Sequence, residues 1–346
     1  MIITRTPFRI TLGGGGTDLP FFYREHGGFV FSMAINRFMF ICLNRRSVAN
    51  RQLVVRYSQV EVVDSIEQIK HPLAREALKL YNIQDAIELT SMADLPGNSG
   101  LGSSGAYLVG LLTALRAYTG RGTSAREIAN EACHIEIDVL GEPVGKQDQF
   151  IAALGGFQTL TIDRNGDVTA SPVPVDSGTA NELVSKAHIY YTGVLRSATA
   201  VLRHQREKAE SAVVADRSRV MDSLLAIRQI GYDIHAAFLD RDLDRFGTLM
   251  DAHWVQKRQL GAEISLSRID TLYAEVKQRF GVLGGKIIGA GGGGFVMLYC
   301  PARIRELDQF MALQGMPQVS FFPVHQGARV VADLSPGGEF QSVTLA

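Results

Sequence analysis

The chain has 346 residues, 46% hydrophobic and 20% charged, an ordinary globular composition with length for one large domain or two ordinary ones. Lys plus Arg and Asp plus Glu number 35 each, so no overall field draws the chain to nucleic acid or to an anionic membrane, and any anion site must be local. Cys42, Cys133 and Cys300 are scattered, without CxxC spacing or a nearby His pair, which excludes a zinc site of that kind and fits free thiols in a reducing compartment.

The first twelve residues alternate polar and apolar side chains and carry Arg5 and Arg9, unlike the unbroken apolar run of a signal peptide, and so predict a strand. The most apolar stretch, residues 29–43, is interrupted by Asn36 and Arg37 and too short to span a bilayer; it predicts two core strands, 29–36 and 38–44. Further strands are predicted at 53–57 and 86–92, and helices at 71–81, 105–118 and 125–140. A strand at 156–162 leads into Asn165-Gly166, a hairpin signal. Past residue 183 the pattern changes to one strand, 188–192, then long amphipathic helices at 197–240, 242–259 and 268–280, then a Gly-rich segment with a strand, 284–299. The pattern gives a mixed or antiparallel sheet followed by a second α+β lobe, joined at the loop-like 171–174.

The 35 glycines gather in three places, residues 13–16, 97–105 and 284–294, each beside a strand or a helix start. The middle cluster, Pro96-Gly97-Asn98-Ser99-Gly100-Leu101-Gly102-Ser103-Ser104-Gly105, feeds a long apolar helix. Such a loop aims backbone N–H groups and the positive end of the helix dipole at one spot, as a phosphate chain requires. Ser103 and Ser104 add hydroxyls for phosphate or metal; capping the helix is their alternative role. The embedded Gly100-x-Gly102-x-x-Gly105 matches a dinucleotide fingerprint. The acidic residue expected about twenty positions on is missing from any strand end, however, because Glu127 and Glu131 lie in helical sequence. Nor is there a Walker loop, since Ile287 follows Gly285-Lys286 where Ser or Thr is needed.

Pro96-x-x-x-Gly100-Leu101-Gly102-Ser103-Ser104 strongly resembles the phosphate loop of the GHMP kinases. Pro7-Phe8-Arg9-Ile10-Thr11-Leu12-Gly13-Gly14-Gly15-Gly16-Thr17-Asp18 is similar to that family's first motif. Gly284-Gly285-Lys286-Ile287-Ile288-Gly289-Ala290-Gly291-Gly292-Gly293-Gly294-Phe295 is similar to its third. All three stand in the family's order, so the resemblance covers nearly the whole chain. It implies an α+β, two-lobed fold: an N-terminal mixed α/β lobe over 1–170 with a left-handed-crossover-type sheet, and a C-terminal ferredoxin-like α+β lobe over 171–346. ATP and Mg2+ are the implied cofactors, with Pro96, Gly97, Gly100, Leu101, Gly102, Ser103, Ser104 and Gly105 at the nucleotide. Residues 136–149 resemble the galactokinase-type helix and loop, which implies Glu136 with Ser104 at the magnesium and Asp148 as catalytic base beside Arg9. By the same resemblance Asp18, Thr17, Gly15, Gly16, Arg196, Gly291 and Gly292 hold the sugar.

Galactokinases carry a Glu-His pair where this chain has Gly15-Gly16. The all-glycine form, with Thr192-Gly193-x-x-Arg196-Ser197-Ala198, looks most like the D-glycero-D-manno-heptose 7-phosphate kinases of bacterial surface-polysaccharide synthesis. That implies cytoplasmic phosphorylation of an anomeric hydroxyl to a 1,7-bisphosphate for capsule or lipopolysaccharide synthesis. It also requires a second anion clamp, with Arg196, Lys146 and Arg24 as candidates. The implied partner is a small sugar phosphate, with neither nucleic acid nor membrane; a homodimer is left open. Two alternatives are a fucokinase- or galactokinase-like GHMP sugar-1-kinase and a catalytically silent sugar sensor on the same fold, against which intact Arg9, Glu136 and Asp148 argue. His253 and Trp254 are expected in the core.

Overall fold

The computed structural model describes residues 1–46, 52–83, 86–97, 99–122, 124–194, 198–261, 264 and 267–334. The first lobe runs β1 (Ile2–Gly13), α1 (Pro20–His26), β2 (Gly28–Arg45), β3 (Leu53–Arg56), β4 (Val60–Val63), α2 (Pro72–Leu80) and β5 (Ile87–Ala93). It continues through α3 (Ser103–Tyr118), α4 (Ala125–Cys133), α5 (Gln147–Leu154), β6 (Phe157–Ile162) and β7 (Val168–Pro172). The second lobe holds α6 (Ser177–Lys186), β8 (Ala187–Tyr191), α7 (Ala198–Ala209), α8 (Val214–Leu239), α9 (Leu243–Arg258) and α10 (Ser267–Phe280). It closes with β9 (Gly284–Ile287), β10 (Phe295–Tyr299), α11 (Ile304–Leu313) and β11 (Gln318–Val319), before β12 (Arg329–Asp333).

β1 and β2 pair antiparallel along their length. The interruption at Asn36 and Arg37 is a bulge inside one long strand: Pro7 faces Phe38 while Phe8 faces Ile35, so two residues drop out of register. Pro7, which has no N–H to give the ladder, sits at the step. β2 then serves two neighbours, β6 along its first part and β5 along its last. The resulting eight-stranded sheet runs β12-β1-β2-β5-β3-β4, with β6 and β7 branching from β2. Only β3 on β5 is parallel among the described pairs. Against β1 and β2 lies α3, buried continuously from Gly105 to Arg116 because it is apolar on every side and further covered by α2, α4 and α5.

The second sheet, β11-β8-β10-β9, is antiparallel throughout; counted in chain order its strands stand 4-1-3-2, the expected ferredoxin-like arrangement. An edge-on aromatic series ties the lobes together: Phe31 to Phe238 at 5.1 Å, Phe238 to Phe246 at 5.0 Å and Phe246 to Tyr299 at 5.8 Å.

Several sequence expectations change. A division at 170/171 does not follow the sheets, since β7 extends to Pro172 and β12 returns to pair with β1. The approach to β12 also docks on the first lobe, where Asn36 N donates to Phe322 O (2.9 Å) and Val324 N to Ala34 O (3.0 Å). The helix expected over 125–140 is α-helical only to Cys133 and continues as a π-helical turn, His134–Val139. The helix expected over 197–240 is two helices, α7 and α8. Among the described residues, no helix is long and apolar enough to cross a membrane.

Candidate active site

The three glycine clusters converge on a cavity of about 160 Å³ between the lobes. From the first lobe, Arg9, Gly15, Gly16, Asp18, Ser104 and Asp148 line it; from the second, Thr199, His253, Lys257, Lys286 and Gly289 do. Two of the clusters meet backbone to backbone. Gly100 has φ +84°, and a Cβ there would lie 2.5 Å from the Ile288 carbonyl oxygen. Gly289, at φ +80°, would place one 2.4 Å from the Gly100 oxygen. No other residue fits at either position.

Asp148 enters the cavity from the first turn of α5, close to the N-terminus of α3. Arg9 reaches it from β1: Nε and Nη2 both approach Oδ1, each at 2.7 Å, while Nη1 donates to the Gly100 carbonyl at 2.6 Å. The Arg9 side chain is 5% exposed and that of Asp148 24%. Both contacts fall on the same carboxylate oxygen. Oδ2 is left beside Gly102, where a Cβ would stand 3.2 Å away. Gly102, Ser103 and Ser104 line the cavity with Gly100, whereas Leu101 is buried and takes the Arg9 N–H on its carbonyl (3.1 Å). Gly105 packs against Asp148, and Pro96 and Gly97 lie on the exposed outer side of the loop.

Glu136 belongs to the π-helical turn, a distortion that commonly marks functional positions. It stands buried behind Ser104, hydrogen-bonded to that hydroxyl and to the Gln149 amide. Burial pushes its carboxyl up to about 7. Gln149 Oε1 next to it is buried without a partner among the described residues. A hydroxyl, a carboxylate and an amide oxygen form a hard donor set that fits magnesium, which takes few protein ligands and completes its shell with phosphate and water. Among the described residues no group of three or more His, Cys, Asp or Glu side chains could hold a metal.

Asp18 also lines the cavity. Its Oδ1 accepts from Gly16 N and its Oδ2 from Gln147 N, both at 3.1 Å, and burial raises its pKa. The close fit requires Gly145, where a Cβ would come within 2.0 Å of Oδ2. Thr17, expected at the sugar, does not line the cavity. Its buried hydroxyl is shared between the Gly14 and Phe29 carbonyls, each at 2.8 Å, and accepts from Phe29 N at 3.0 Å. Thr17→Val is expected to destabilise the fold by about 1–3 kcal/mol, read by denaturant melt, without changing the acceptor KM. A raised KM at unchanged stability would return Thr17 to the substrate.

Gly291 and Gly292 are likewise displaced from the expected role: they pack on Ile264, whose carbonyl accepts from Gly292 N at 2.9 Å, and Gly289 and Ala290 line the cavity instead. Arg196 lies outside the described residues. Lys146 bonds the Gly166 carbonyl and lies over the Tyr23 ring, and Arg24 is exposed; neither lines the cavity.

Sequence reasoning missed Lys257 and Lys286 and placed His253 in the core. His253 is buried, as expected, but it also lines the cavity; Trp254 is core. A lysine inside an apolar β-strand, as in Gly284-Gly285-Lys286-Ile287, is the signal that could have revealed Lys286.

Residues 67–156 match the family described as GHMP kinases N terminal domain, and residues 234–310 match GHMP kinases C terminal. The chain belongs to the GHMP kinase superfamily. It is an ATP-dependent phosphotransferase with an alcohol group as acceptor. This GHMP kinase is 25% identical over 311 residues to the D-glycero-alpha-D-manno-heptose 7-phosphate kinase of Campylobacter jejuni, covering 86% of the chain and 89% of that relative. Its fold is similar to that of a D-glycero-D-manno-heptose 1-phosphate kinase from Bacteroides thetaiotaomicron, with TM-score 0.77 and 21% identity over 97% of this chain and 100% of that one. Lactococcus lactis galactokinase complexed with galactose gives TM-score 0.72 and 19% identity over 94% of each chain.

Proposed function

We propose that this kinase phosphorylates the anomeric hydroxyl of D-glycero-α-D-manno-heptose 7-phosphate with MgATP, giving the 1,7-bisphosphate. The observation that carries the chemistry is the Arg9–Asp148 pair, with both Arg9 contacts on Oδ1 and Oδ2 without a hydrogen bond among the described residues, beside the phosphate loop. The acceptor is argued from the all-glycine turn at 13–16 and from likeness to the Campylobacter jejuni heptose 7-phosphate kinase.

The α3 N-terminus and its glycine loop bind the phosphates through backbone N–H groups. Ser104 and Glu136 would hold magnesium, which would supply charge neutralisation for the phosphates. Asp18, with Gly15 and Gly16, orients the sugar ring so that its anomeric oxygen lies between Asp148 and the terminal phosphorus. Asp148 Oδ2 takes the hydroxyl proton as that oxygen bonds to phosphorus and the bond to the ADP oxygen breaks.

ADP release from MgATP is the deciding assay, run with heptose 7-phosphate against mannose, fucose and galactose. Turnover confined to the phosphorylated heptose is expected. Turnover with a plain sugar would keep the chemistry and overturn the acceptor, and none with any of the four would overturn the acceptor and favour a sugar sensor.

A further inference from the structure

The second-lobe wall of the cavity carries basic side chains that the mechanism above does not use. Lys257 on α9 is 7% exposed, Lys286 on β9 2% and His253, one turn before Lys257, 1%. Neither lysine has an acidic partner among the described residues. Lys257 Nζ donates to the Ile287 carbonyl at 3.4 Å and to that of Gly289, and Lys286 Nζ donates to that of Leu12 at 2.9 Å. An ammonium has three donors, so each lysine keeps N–H capacity for something else. Both ring nitrogens of His253 lack a partner among the described residues.

Burial first, then Arg9, pushes Lys257 down to about 7. Burial and the neighbouring cations hold Lys286 and His253 well below their ordinary values. Charging these buried bases side by side is costly, and an anion among them lowers that cost.

We propose that Lys257 and Lys286, with His253 beside them, clamp the oxygens of the phosphoryl group as it passes from ATP to the acceptor. Position selects this group over a phosphate already on the acceptor. Lys257 hangs on Gly289, which abuts Gly100 of the phosphate loop, and the Gly100 carbonyl takes Arg9. Lys286 hangs on Leu12, midway along the chain between Arg9 and Gly15. Lys257 is thereby fastened at the phosphate loop, and Lys286 lies beside it, with Lys257 and Arg9 as its charged neighbours. A loose transition state spreads charge over the equatorial oxygens, and this kinase has neither a Walker lysine nor a second arginine among the described residues lining the cavity. The clamp also explains a second-lobe contribution to chemistry whose base and phosphate loop belong to the first.

The inference rests on the MgATP-dependent kinase reading and not on the identity of the sugar. Calorimetry without acceptor is expected to show wild-type protein binding MgATP more tightly than MgADP. Lys257→Met and Lys286→Met are each expected to bind MgADP as wild type does and to lose the preference for MgATP. Their kcat should fall roughly a hundredfold with the acceptor KM unchanged. Equal wild-type affinities would overturn the clamp without any variant, so a variant that fails to fold does not shield it. It is equally overturned if folded variants keep the MgATP preference, if they weaken both nucleotides alike, or if only the KM of a phosphorylated acceptor rises. Wild-type protein that binds neither nucleotide would sink the kinase reading itself.

Discussion

Asp148→Asn is expected to lower kcat roughly a thousandfold while leaving MgATP affinity unchanged, because general base catalysis contributes about that much and the side chain lies on the acceptor side of the phosphate loop. The substitution keeps the size of the group, so Gly102 and Gly105 still pack against it. Arg9 retains an oxygen at the Oδ1 position and its separate bond to the Gly100 carbonyl, which should hold the loop in place. What disappears is the free oxygen that accepts the proton. Single-turnover kinetics with the proposed acceptor at saturation would separate the chemical step from binding. Unaltered kcat would remove Asp148 from the mechanism. A matched fall in nucleotide affinity would show instead that its main work is to order the phosphate loop.

The second large effect is expected at Gly100. Alanine there combines a left-handed backbone with a methyl group 2.5 Å from the Ile288 carbonyl oxygen, and neither backbone can retreat because Gly289 presses back on Gly100. We expect Gly100→Ala to destabilise the protein by about 2–4 kcal/mol, taking strain and collision together. It should also cost MgATP binding more than about tenfold, as the phosphate loop and the second lobe separate. Gly97→Ala is the control in the same loop, where an added Cβ meets nothing within 4 Å. Thermal melts and nucleotide titrations of the pair would decide the matter. Equal behaviour of the two variants would mean that the interlobe contact at Gly100 is dispensable.

Much of this arrangement is legible in sequence because glycine clusters are forced by backbone geometry, which leaves a local mark. The loop at 97–105 followed by an apolar helix gives a phosphate cradle without any structure, and Asp148 and Arg9 follow by resemblance to one family. The π-helical turn around Glu136 is not legible, because its residues keep helical patterning while the backbone inserts an extra step. Nor is the role of Thr17, whose hydroxyl serves either backbone or ligand depending on a rotation that the sequence leaves unstated. Lys257 escapes notice because it precedes Arg258 near the end of an amphipathic helix, where a lysine ordinarily faces water. Only the packing of β9 against α9 turns it inward.

The return of β12 to β1 gives the kinase a particular biosynthetic history. While the ribosome is still making residues beyond 300, the outer edge of β1 has no neighbour, and the stretch later covered by Phe322 and Val324 stays bare. An unpaired strand edge of this kind invites pairing between nascent chains. The first lobe, although it contains the base and the phosphate loop, therefore completes its sheet only when the last lobe has been threaded past it. Aggregation of fragments cut between the lobes is the expected consequence of that one late strand.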